Sequence, residues 1–317
     1  MSDQNYCVVD IGGSKILLLL IDDKGGILFR EKTATPKPEK PGDIIGSIQS
    51  LLGKGFSATG MAADSKPRGI GVCIAGFLDH KSGLVYQSPN LHWTSPVPFG
   101  ELLSEAFECP VLIENDANAA VVGEVIYGAA KGHRDVVYVT ISTGIGGGLY
   151  LDGKLYRGSS GFAGEIGHIK PFGKGRPCKC GKYDCLETWA SGSAIARSAK
   201  ALWNENEVEG GEITTAWVFE QADTGNSMAQ KIIERAVENT GRGLSNLINL
   251  FNPSCLVIGG GVAGSRSDYR EKVAAVIKKE SIRPSVEITP LKIMPASLEP
   301  EAGIWGMYAL LTNRVEE

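Results

Sequence analysis

The sequence predicts a mixed α/β fold built from two lobes. Its 317 residues exceed the usual domain size of about 100–150 residues, which favours two lobes over one. Apolar runs typical of strands alternate with segments of helical spacing along most of the chain. One arrangement, an apolar strand, a glycine turn and a second apolar strand, occurs twice. We interpret this as an internal duplication, with one copy founding each lobe.

The first copy opens the chain as three antiparallel strands, with a tight turn between the second and third. The elements predicted for the first lobe are the strands Tyr6–Asp10, Lys15–Ile21, Ile27–Thr33, Gly69–Ile74 and Val111–Ile113 and the helices Asp43–Leu52 and Phe99–Phe107. A helix of small residues, Asn118–Tyr127, follows directly on Asn115-Asp116. We therefore assign residues 1–116 to a small N-terminal lobe.

The second copy begins a larger lobe at residues 117–300. Its predicted strands are Val136–Ser142, Gly148–Leu151, Lys154–Arg157 and Cys255–Ile258, and its predicted helices are Ser191–Asn204, Thr215–Ala222, Ser227–Phe251 and Asp268–Glu280. The third helix must end before Pro253, which cannot continue it. A final helix, Glu301–Leu311, is amphipathic, and we expect residues of about 301–317 to pack back on the first lobe.

Composition and charge exclude several classes of protein. A net charge of −4 provides no basic field for nucleic acid. No apolar run approaches the ~18–20 residues of a membrane span, and residues 1–5 lack the features of a signal peptide. Seven cysteines, an odd number, cannot all pair with one another. We expect a cytoplasmic protein with neither nucleic acid nor membrane as partner.

Glycine is unusually abundant: 41 of the 317 residues are glycine, about 13 %, against a typical share of about 7 %. The clusters Gly12-Gly13, Gly144–Gly148 and Gly259–Gly261 each follow an apolar run, where bare backbone amides can approach a phosphate. Asp10 precedes the first cluster and could face a Mg²⁺–phosphate group. The first two of these turns lead into strands and lack the P-loop spacing, so they match neither the P-loop nor the Rossmann fingerprint.

Two further groups of residues carry chemistry. His168, Cys178, Cys180 and Cys185 make the Cys₃His set of a closed structural Zn²⁺ site, with four unrelated residues or a redox pair as the alternatives. Asp116 follows a buried strand and opens a helix. It is either a helix cap or a carboxylate that accepts the proton of an attacking hydroxyl, ionised by the helix N-terminus.

Together these motifs resemble the ROK family (repressors, open reading frames and kinases), in particular its bacterial sugar kinases. The matching motifs are Asp10–Lys15, Glu114–Asn118, Ser142–Gly148, Gly164–His168, Cys178–Glu187 and Val257–Gly261, which span nearly the whole chain. The resemblance implies an actin-like ATPase fold of the hexokinase type, with two duplicated mixed-sheet domains and a cleft between them. One departure is Asp184, where the family commonly has glycine.

The resemblance also implies roles for individual residues. Asp116 would be the catalytic base. Sugar would contact Ala75, Gly76, Asn90, Asn115, Asp116, Glu165, His168 and Glu187. ATP would contact Asp10, Gly12, Gly13, Ser14, Lys15, Thr143, Gly144, Gly146, Gly259, Gly260 and Gly261. Zn²⁺ would be held by His168, Cys178, Cys180 and Cys185, and Mg²⁺ would bridge the triphosphate.

The implied activity is ATP-dependent phosphorylation of a hexose at its 6-hydroxyl, with glucose as the first choice. N-acetylglucosamine, N-acetylmannosamine and fructose kinases and a polyphosphate-using glucomannokinase are the alternatives within the class; a basic residue near Phe77, typical of N-acylmannosamine kinases, is missing. A repressor would need a winged helix before the first glycine turn, and since Asp10 is only the tenth residue of the sequence we expect none here. A non-catalytic sugar-binding module is less consistent with a full catalytic set. We expect a homodimer or a tetramer.

Overall fold

The computed structural model describes residues 5–62, 64–171, 173, 175–203, 212–288 and 290–315. They form two compact units, each with its own sheet and hydrophobic core. The first unit falls within Met1–Gly132, Lys154–Ala163 and Pro300–Glu317, and the second within His133–Gly153 and Gly164–Glu299. Among these described ranges, no helix is both long enough and apolar enough for a bilayer crossing.

The strands and helices follow the predicted alternation. The strands are β1 (Asn5–Ile11), β2 (Lys15–Asp22), β3 (Ile27–Ala34), β4 (Gly69–Ile74), β5 (Phe77–Asp79), β6 (Leu84–Gln87), β7 (Val111–Asn115), β8 (Val136–Ile141), β9 (Ile145–Leu151), β10 (Lys154–Leu155), β11 (Cys255–Gly259) and β12 (Lys292–Pro295). The helices are α1 (Pro41–Thr59), α2 (Phe99–Phe107), α3 (Asp116–Ile126), α4 (Glu187–Ala190), α5 (Gly192–Lys200), α6 (Thr215–Asp223), α7 (Ser227–Phe251), α8 (Ser267–Glu280), α9 (Arg283–Glu287) and α10 (Ala302–Leu311).

The sheet of the first unit has β1 at its centre. β1 pairs antiparallel with β2, which pairs antiparallel with the edge strand β3. On its other side β1 pairs in parallel with β4, and β4 pairs in parallel with β7. The exposed residues of β3 alternate with less exposed ones, as expected of a strand with one solvated face, whereas β1 and β4 are buried nearly throughout.

The sheet of the second unit repeats this topology. β8 pairs antiparallel with β9 and in parallel with β11, and β11 pairs in parallel with β12. The order β9-β8-β11-β12 therefore corresponds to β2-β1-β4-β7, with every strand direction preserved. In both units a three-residue turn joins the first hairpin, at residues 12–14 and at residues 142–144. This correspondence supports the predicted duplication.

The helices α3 and α10 of the first unit pack against each other at unusually short range. A Cβ on Gly306 would lie 1.7 Å from the carbonyl oxygen of Ala119, and a Cβ on Gly123 would lie 2.3 Å from that of Ala302. Glycine is therefore required at both contacts. Because α3 packs on α10, it belongs to the first unit, whereas the sequence prediction placed the lobe boundary before this helix, at residue 116.

Several local predictions differ from the structure. The strand predicted to begin at Gly148 already begins at Ile145, so Gly146 and Gly147 lie inside β9, where a Cβ on Gly147 would come within 2.2 Å of the Ile166 side chain. The predicted α1 stopped at Leu52, whereas the helix continues to Thr59. The hairpin of β5 and β6, the short helix α9 and the strand β12 were not predicted.

Candidate active site

The carboxyl edge of the first sheet collects the polar residues predicted for this unit. Parallel neighbours β1, β4 and β7 all end at this edge, with Asp10 opposite Cys73 and Ile74 opposite Asn115 in the register. Asp10 is the second-last residue of β1, and Asp116 begins α3 directly after β7. In open sheets of this kind the carboxyl ends of parallel strands are the usual ligand edge.

The structure shows which residue caps α3, a role that the sequence left open for Asp116. Asn115 is the helix cap: its Oδ1 accepts the amides of Ala117 and Asn118 at 2.9 and 3.2 Å, and its Nδ2 donates to the carbonyl of Gly76 at 3.2 Å. Asp116 is therefore not the cap. One of its oxygens accepts the Ala117 amide at 2.9 Å, and the side chain is otherwise open to solvent.

The two carboxylates of this edge influence each other. Loss of hydration raises the pKa of Asp116, although part of the side chain is accessible, and the Ala117 amide opposes this. Burial, with the negative charge of Asp116 second, raises the pKa of Asp10 to about 6, and Lys15 lowers it. The helix N-terminus was expected to keep Asp116 ionised, and burial acts against this. A raised pKa makes Asp116 a better proton acceptor near neutral pH.

The raised pKa of Asp10 predicts a pH-dependent stability effect for Asp10→Asn. The carboxylate of Asp10 is disfavoured in the folded state, so its cost is absent below its ordinary pKa of about 4 and fully present above about 6. Without Mg²⁺, Asp10→Asn should therefore raise the free energy of unfolding by about 1–3 kcal/mol at pH 7.5 and hardly at pH 4. Urea denaturation at the two pH values measures this.

Asp79→Asn is the matched control, because the Ser82 hydroxyl, donating at 2.7 Å, holds the pKa of Asp79 below its usual range. Here the sign is opposite, so Asp79→Asn should lose stability at pH 7.5. A gain for Asp10→Asn of equal size at both pH values would contradict the electrostatic origin.

A buried ion pair behind Asp116 was not predicted. Arg157 Nε donates to Glu114 Oε2 at 2.7 Å, and the two side chains are 12 % and 2 % exposed. The other oxygen of Glu114 accepts from the Asn115 amide at 2.9 Å and from Asn118 Nδ2 at 3.0 Å. This pair therefore fixes the backbone of the strand-to-helix junction that presents Asp116.

The first glycine turn approaches the loop that carries Asn90, one of the residues implied to contact sugar. A Cβ on Gly13 would lie 2.7 Å from the carbonyl oxygen of Asn90, so these two segments are in contact. Thr35 Oγ1 donates to Gly12 O at 2.7 Å, and Lys37 Nζ donates to Gly13 O at 2.9 Å. Thr35 and Lys37 were missed because no sequence signal links them to a turn more than twenty residues away. Ser14 and Lys15 are exposed at the same turn.

The residues just before Asn90 pack on Ala75 and Gly76, the two implied sugar contacts that follow β4. The hydroxyl of Ser88 donates to the carbonyl of Ala75 at 2.7 Å. A Cβ on Gly76 would lie 2.2 Å from the carbonyl oxygen of Gln87, so no side chain fits there. The first unit thus brings Ala75, Gly76 and Asn90 together with the first glycine turn.

The second unit contains a cavity of about 730 Å³ beside its own glycine turn. Its lining includes Ser142 and Thr143 of the β8–β9 turn, Gly192 at the start of α5, Thr215 of α6 and Gly261. The Gly192 amide donates to Ser142 O at 2.8 Å, and the Ser193 amide donates to Thr143 O at 3.2 Å. The cavity therefore lies where the start of α5 is hydrogen-bonded to the turn, and the first amides of this helix already have protein acceptors.

The other predicted nucleotide contacts of this unit lie nearby in different settings. Gly144 closes the β8–β9 turn by accepting the Ser142 amide at 2.9 Å. Gly146 and Gly259 lie inside the strands β9 and β11. Gly260 has φ +91°, and a Cβ there would lie 2.4 Å from the Ile141 carbonyl oxygen. Only glycine fits this turn.

One further residue that holds the Gly260 turn was missed by the sequence prediction. Glu299 Oε1 accepts the Gly260 amide at 2.5 Å and the hydroxyl of Tyr138 at 3.2 Å. Since Glu299 lies 39 residues from Gly260, its role depends on the fold rather than on a local motif.

The predicted metal ligands come together. One ligand atom from each of His168, Cys178, Cys180 and Cys185 lies within 4.8 Å of all the others. Cys178 Sγ is 3.8 Å from His168 Nδ1, and Cys180 Sγ is 3.6 Å from Cys185 Sγ. A tetrahedron with metal–sulfur bonds of ~2.3 Å has edges of about 3.8 Å, so the spacing and the donor set fit Zn²⁺.

Glu165 and Glu187 approach different nitrogens of the His168 imidazole. Glu165 Oε2 is 3.8 Å from Nε2 of the imidazole, and Glu187 Oε1 is 3.8 Å from Nδ1. Cys178 Sγ donates to Glu187 Oε1 at 3.0 Å. The nitrogen Nδ1 therefore faces the thiols and Nε2 faces away from them, which leaves Nε2 for a second partner.

A model of the ROK family matches residues 6–314, and the chain belongs to this family. A glucokinase of Halalkalibacterium halodurans is 35 % identical over 272 residues, covering 83 % of this chain and 82 % of the glucokinase. The xylose repressor of Caldicellulosiruptor bescii is 30 % identical over 315 residues, covering 96 % of this chain and 77 % of the repressor.

Two solved structures confirm the predicted fold, the actin-like ATPase fold of ROK hexokinases. The ROK hexokinase of Thermus thermophilus is similar with a TM-score of 0.83 and 30 % identity, covering 98 % of this chain and all of that one. The ROK glucokinase of Streptomyces griseus, in complex with glucose and AMPPNP, gives a TM-score of 0.75 and 33 % identity over 96 % of this chain and 98 % of that one.

Proposed function

We propose that this chain is an ATP-dependent hexose kinase that phosphorylates the 6-hydroxyl, with glucose as the preferred substrate. The observation that carries the proposal is Asp116, an accessible carboxylate of raised pKa fixed at the ligand edge of the first sheet. Phosphoryl transfer to an alcohol needs such a proton acceptor. The similarity to a glucokinase and to an enzyme solved with glucose and AMPPNP supports the same activity.

In the proposed reaction, Asp116 accepts the proton of the sugar 6-hydroxyl as its oxygen attacks the γ-phosphorus of ATP. The bond from that phosphorus to the bridging oxygen breaks, and ADP leaves with the bonding electrons. Asp116 afterwards releases its proton to solvent. Asp10 would hold Mg²⁺, which neutralises the triphosphate charge when bound.

We assign ATP to the glycine turns of both units and to the cavity of the second. The volume of about 730 Å³ suits a nucleoside. The amides of Thr143 and Gly144 would face phosphate oxygens, and Gly261 would face the adenosine. In the first unit, Asp10, Gly12 and Lys15 would complete the phosphate site.

We propose that the sugar is bound by side chains that all act through hydrogen bonds. Asn90, Asn115, Glu165, His168 and Glu187 would each meet a hydroxyl, with the backbone of residues 75–76 alongside. Nδ2 of Asn115 retains one hydrogen beyond its bond to Gly76. Such a site strongly rejects analogues that lack a hydroxyl, because the partner group is then left unpaired.

We further propose that the Cys₃His cluster binds one structural Zn²⁺ per chain. The metal would fix the three thiols of a hairpin rich in glycine and poor in apolar residues, and would orient His168 and Glu187. Cys180→Ser should lower the zinc content, the melting temperature and the affinity for sugar together. Elemental analysis, thermal denaturation and sugar titration measure the three.

Cys109→Ser serves as the control for the zinc prediction, since Cys109 is half-buried and lies in the other unit. This variant should keep its zinc. Protein purified without chelator and free of zinc would contradict the assignment.

Two alternatives are kept open by the comparisons. A putative N-acetylmannosamine kinase of Listeria monocytogenes shares the fold with a TM-score of 0.80 and 26 % identity, and a repressor is among the relatives. An assay of ADP release with glucose, mannose, fructose, N-acetylglucosamine, N-acetylmannosamine and 2-deoxyglucose separates them. We expect glucose to give the highest kcat/KM, at least tenfold above 2-deoxyglucose.

Preference for an N-acetyl sugar would overturn the choice of glucose and retain the kinase. Absence of ADP release with every sugar would overturn the kinase and favour a sugar-sensing regulator. The homodimer or tetramer and the cytoplasmic location stay predictions.

A further inference from the structure

Asp184 occupies a backbone position that favours glycine. It lies immediately before the ligand Cys185, with φ +61° in the left-handed region. Its side chain is nearly inaccessible, with 8 % of the residue exposed. A side chain at positive φ and a carboxylate removed from water both cost free energy, so this residue must be compensated by specific contacts.

The contacts of Asp184 close the base of the hairpin that carries the thiols. Its two carboxylate oxygens accept the backbone amides of Gly175 and Arg176, each at 2.9 Å. Its own amide donates to the carbonyl of Arg176 at 2.7 Å. Beyond this point the hairpin continues with the Cys178 amide donating to the Lys182 carbonyl at 2.8 Å. The carboxylate thus joins the segment before Cys178 to the segment before Cys185.

Arg176 fixes the same base to the neighbouring helix α4. Its guanidinium lies 3.8 Å from the centre of the Trp189 ring, and its Nη1 donates to the carbonyl of Thr188 at 3.0 Å. Both partners belong to α4, the helix that begins at Glu187. Protein contacts alone therefore connect the hairpin to the element that carries Glu187.

We propose that Asp184 and Arg176 form a brace that keeps the hairpin of residues 175–185 closed without help from the metal and thereby slows release of the ion. Asp184 is thus a positioning residue for the thiols of Cys178 and Cys185. This inference rests on the proposed Cys₃His metal site. The competing view is that aspartate is merely tolerated at this turn and that the metal alone orders the loop.

Asp184→Gly separates the two views, because glycine relieves the positive φ but removes both carboxylate hydrogen bonds. Wild-type protein and variants are loaded with Zn²⁺, and transfer of the ion to the chelating dye 4-(2-pyridylazo)resorcinol is followed under native conditions. We expect release to be at least tenfold faster from Asp184→Gly. Asp184→Asn, which keeps one acceptor oxygen, should fall between the two. Release from Asp184→Gly as slow as from wild type would overturn the brace.

Asp152→Gly is the matched control, since Asp152 also has positive φ, +49°, and lies in the same unit on an exposed turn. Its zinc release should equal that of the wild type.

A second measurement tests the brace if the wild type binds no zinc, the result that would refute the metal site itself. Amide hydrogen exchange at Gly175 and Arg176 is compared in metal-free wild type and Asp184→Gly. Protection in the wild type that falls at least tenfold in the variant supports the brace. Equal exchange in both proteins overturns it.

Discussion

Asp116→Asn is expected to lower kcat by at least about 10²–10⁴-fold while sugar affinity changes little. Asparagine keeps the size of the side chain and an oxygen for the Ala117 amide, so the start of α3 should be preserved. It cannot accept a proton from the attacking hydroxyl. The loss should therefore fall on turnover, measured by ADP release at saturating glucose and ATP, with glucose affinity measured by calorimetry.

Asp43→Asn provides the control, because Asp43 is an exposed carboxylate in the first turn of α1 in the same unit. Its turnover should match the wild type. An Asp116→Asn enzyme that retains more than a tenth of the wild-type turnover would refute the role of Asp116 as base.

Arg157→Met should destabilise the protein by about 3–5 kcal/mol, since it leaves the buried carboxylate of Glu114 without its cation. Methionine fills much of the same volume, so the loss should come from the unpaired charge rather than from a cavity. Urea denaturation followed by circular dichroism measures the free energy of unfolding.

The double variant Glu114→Gln, Arg157→Met tests that explanation, because it also removes the carboxylate charge that the single variant leaves unpaired. It should be more stable than Arg157→Met alone. Arg283→Met, which breaks an exposed pair with Glu287 on α9, should change stability by less than about 1 kcal/mol. A double variant no more stable than Arg157→Met would show that the charge is not the cause.

Helix ends were predicted correctly where a capping residue or a proline in the sequence fixes them. The bounds of α7 agree at both ends, because Asn226 caps its start and Pro253 stops it. The prediction for α1 ended early because Gly53 and Gly55 lower helix propensity. A Cβ on Gly55 would lie 2.7 Å from the Leu20 side chain, so this glycine serves the packing of the helix on the sheet. That reason is tertiary and was not visible in the sequence.

In the candidate site, too, residues within sequence motifs were predicted and residues that act through tertiary contacts were missed. Asp116 and the four metal-ligand residues lie in compact motifs, and the structure brings the four metal ligands together as expected. Arg157 was missed because it belongs to none of the sequence motifs and its partner Glu114 is 43 residues away. The effect of Asp184 could not be judged either, since it depends on the backbone angle of a single turn.

The packing of α3 on α10 determines the order in which the units can be completed during synthesis. The second unit consists of His133–Gly153 and Gly164–Glu299, and Lys154–Ala163 between them belongs to the first unit. All of the second unit therefore precedes α10 in the sequence. The first unit starts earlier but cannot bury the face of α3 until Ala302–Leu311 has left the ribosome. The unit that carries Asp116 is therefore finished after the unit that carries the thiols, and a nascent chain stopped at Glu299 would expose the apolar face that α10 normally covers.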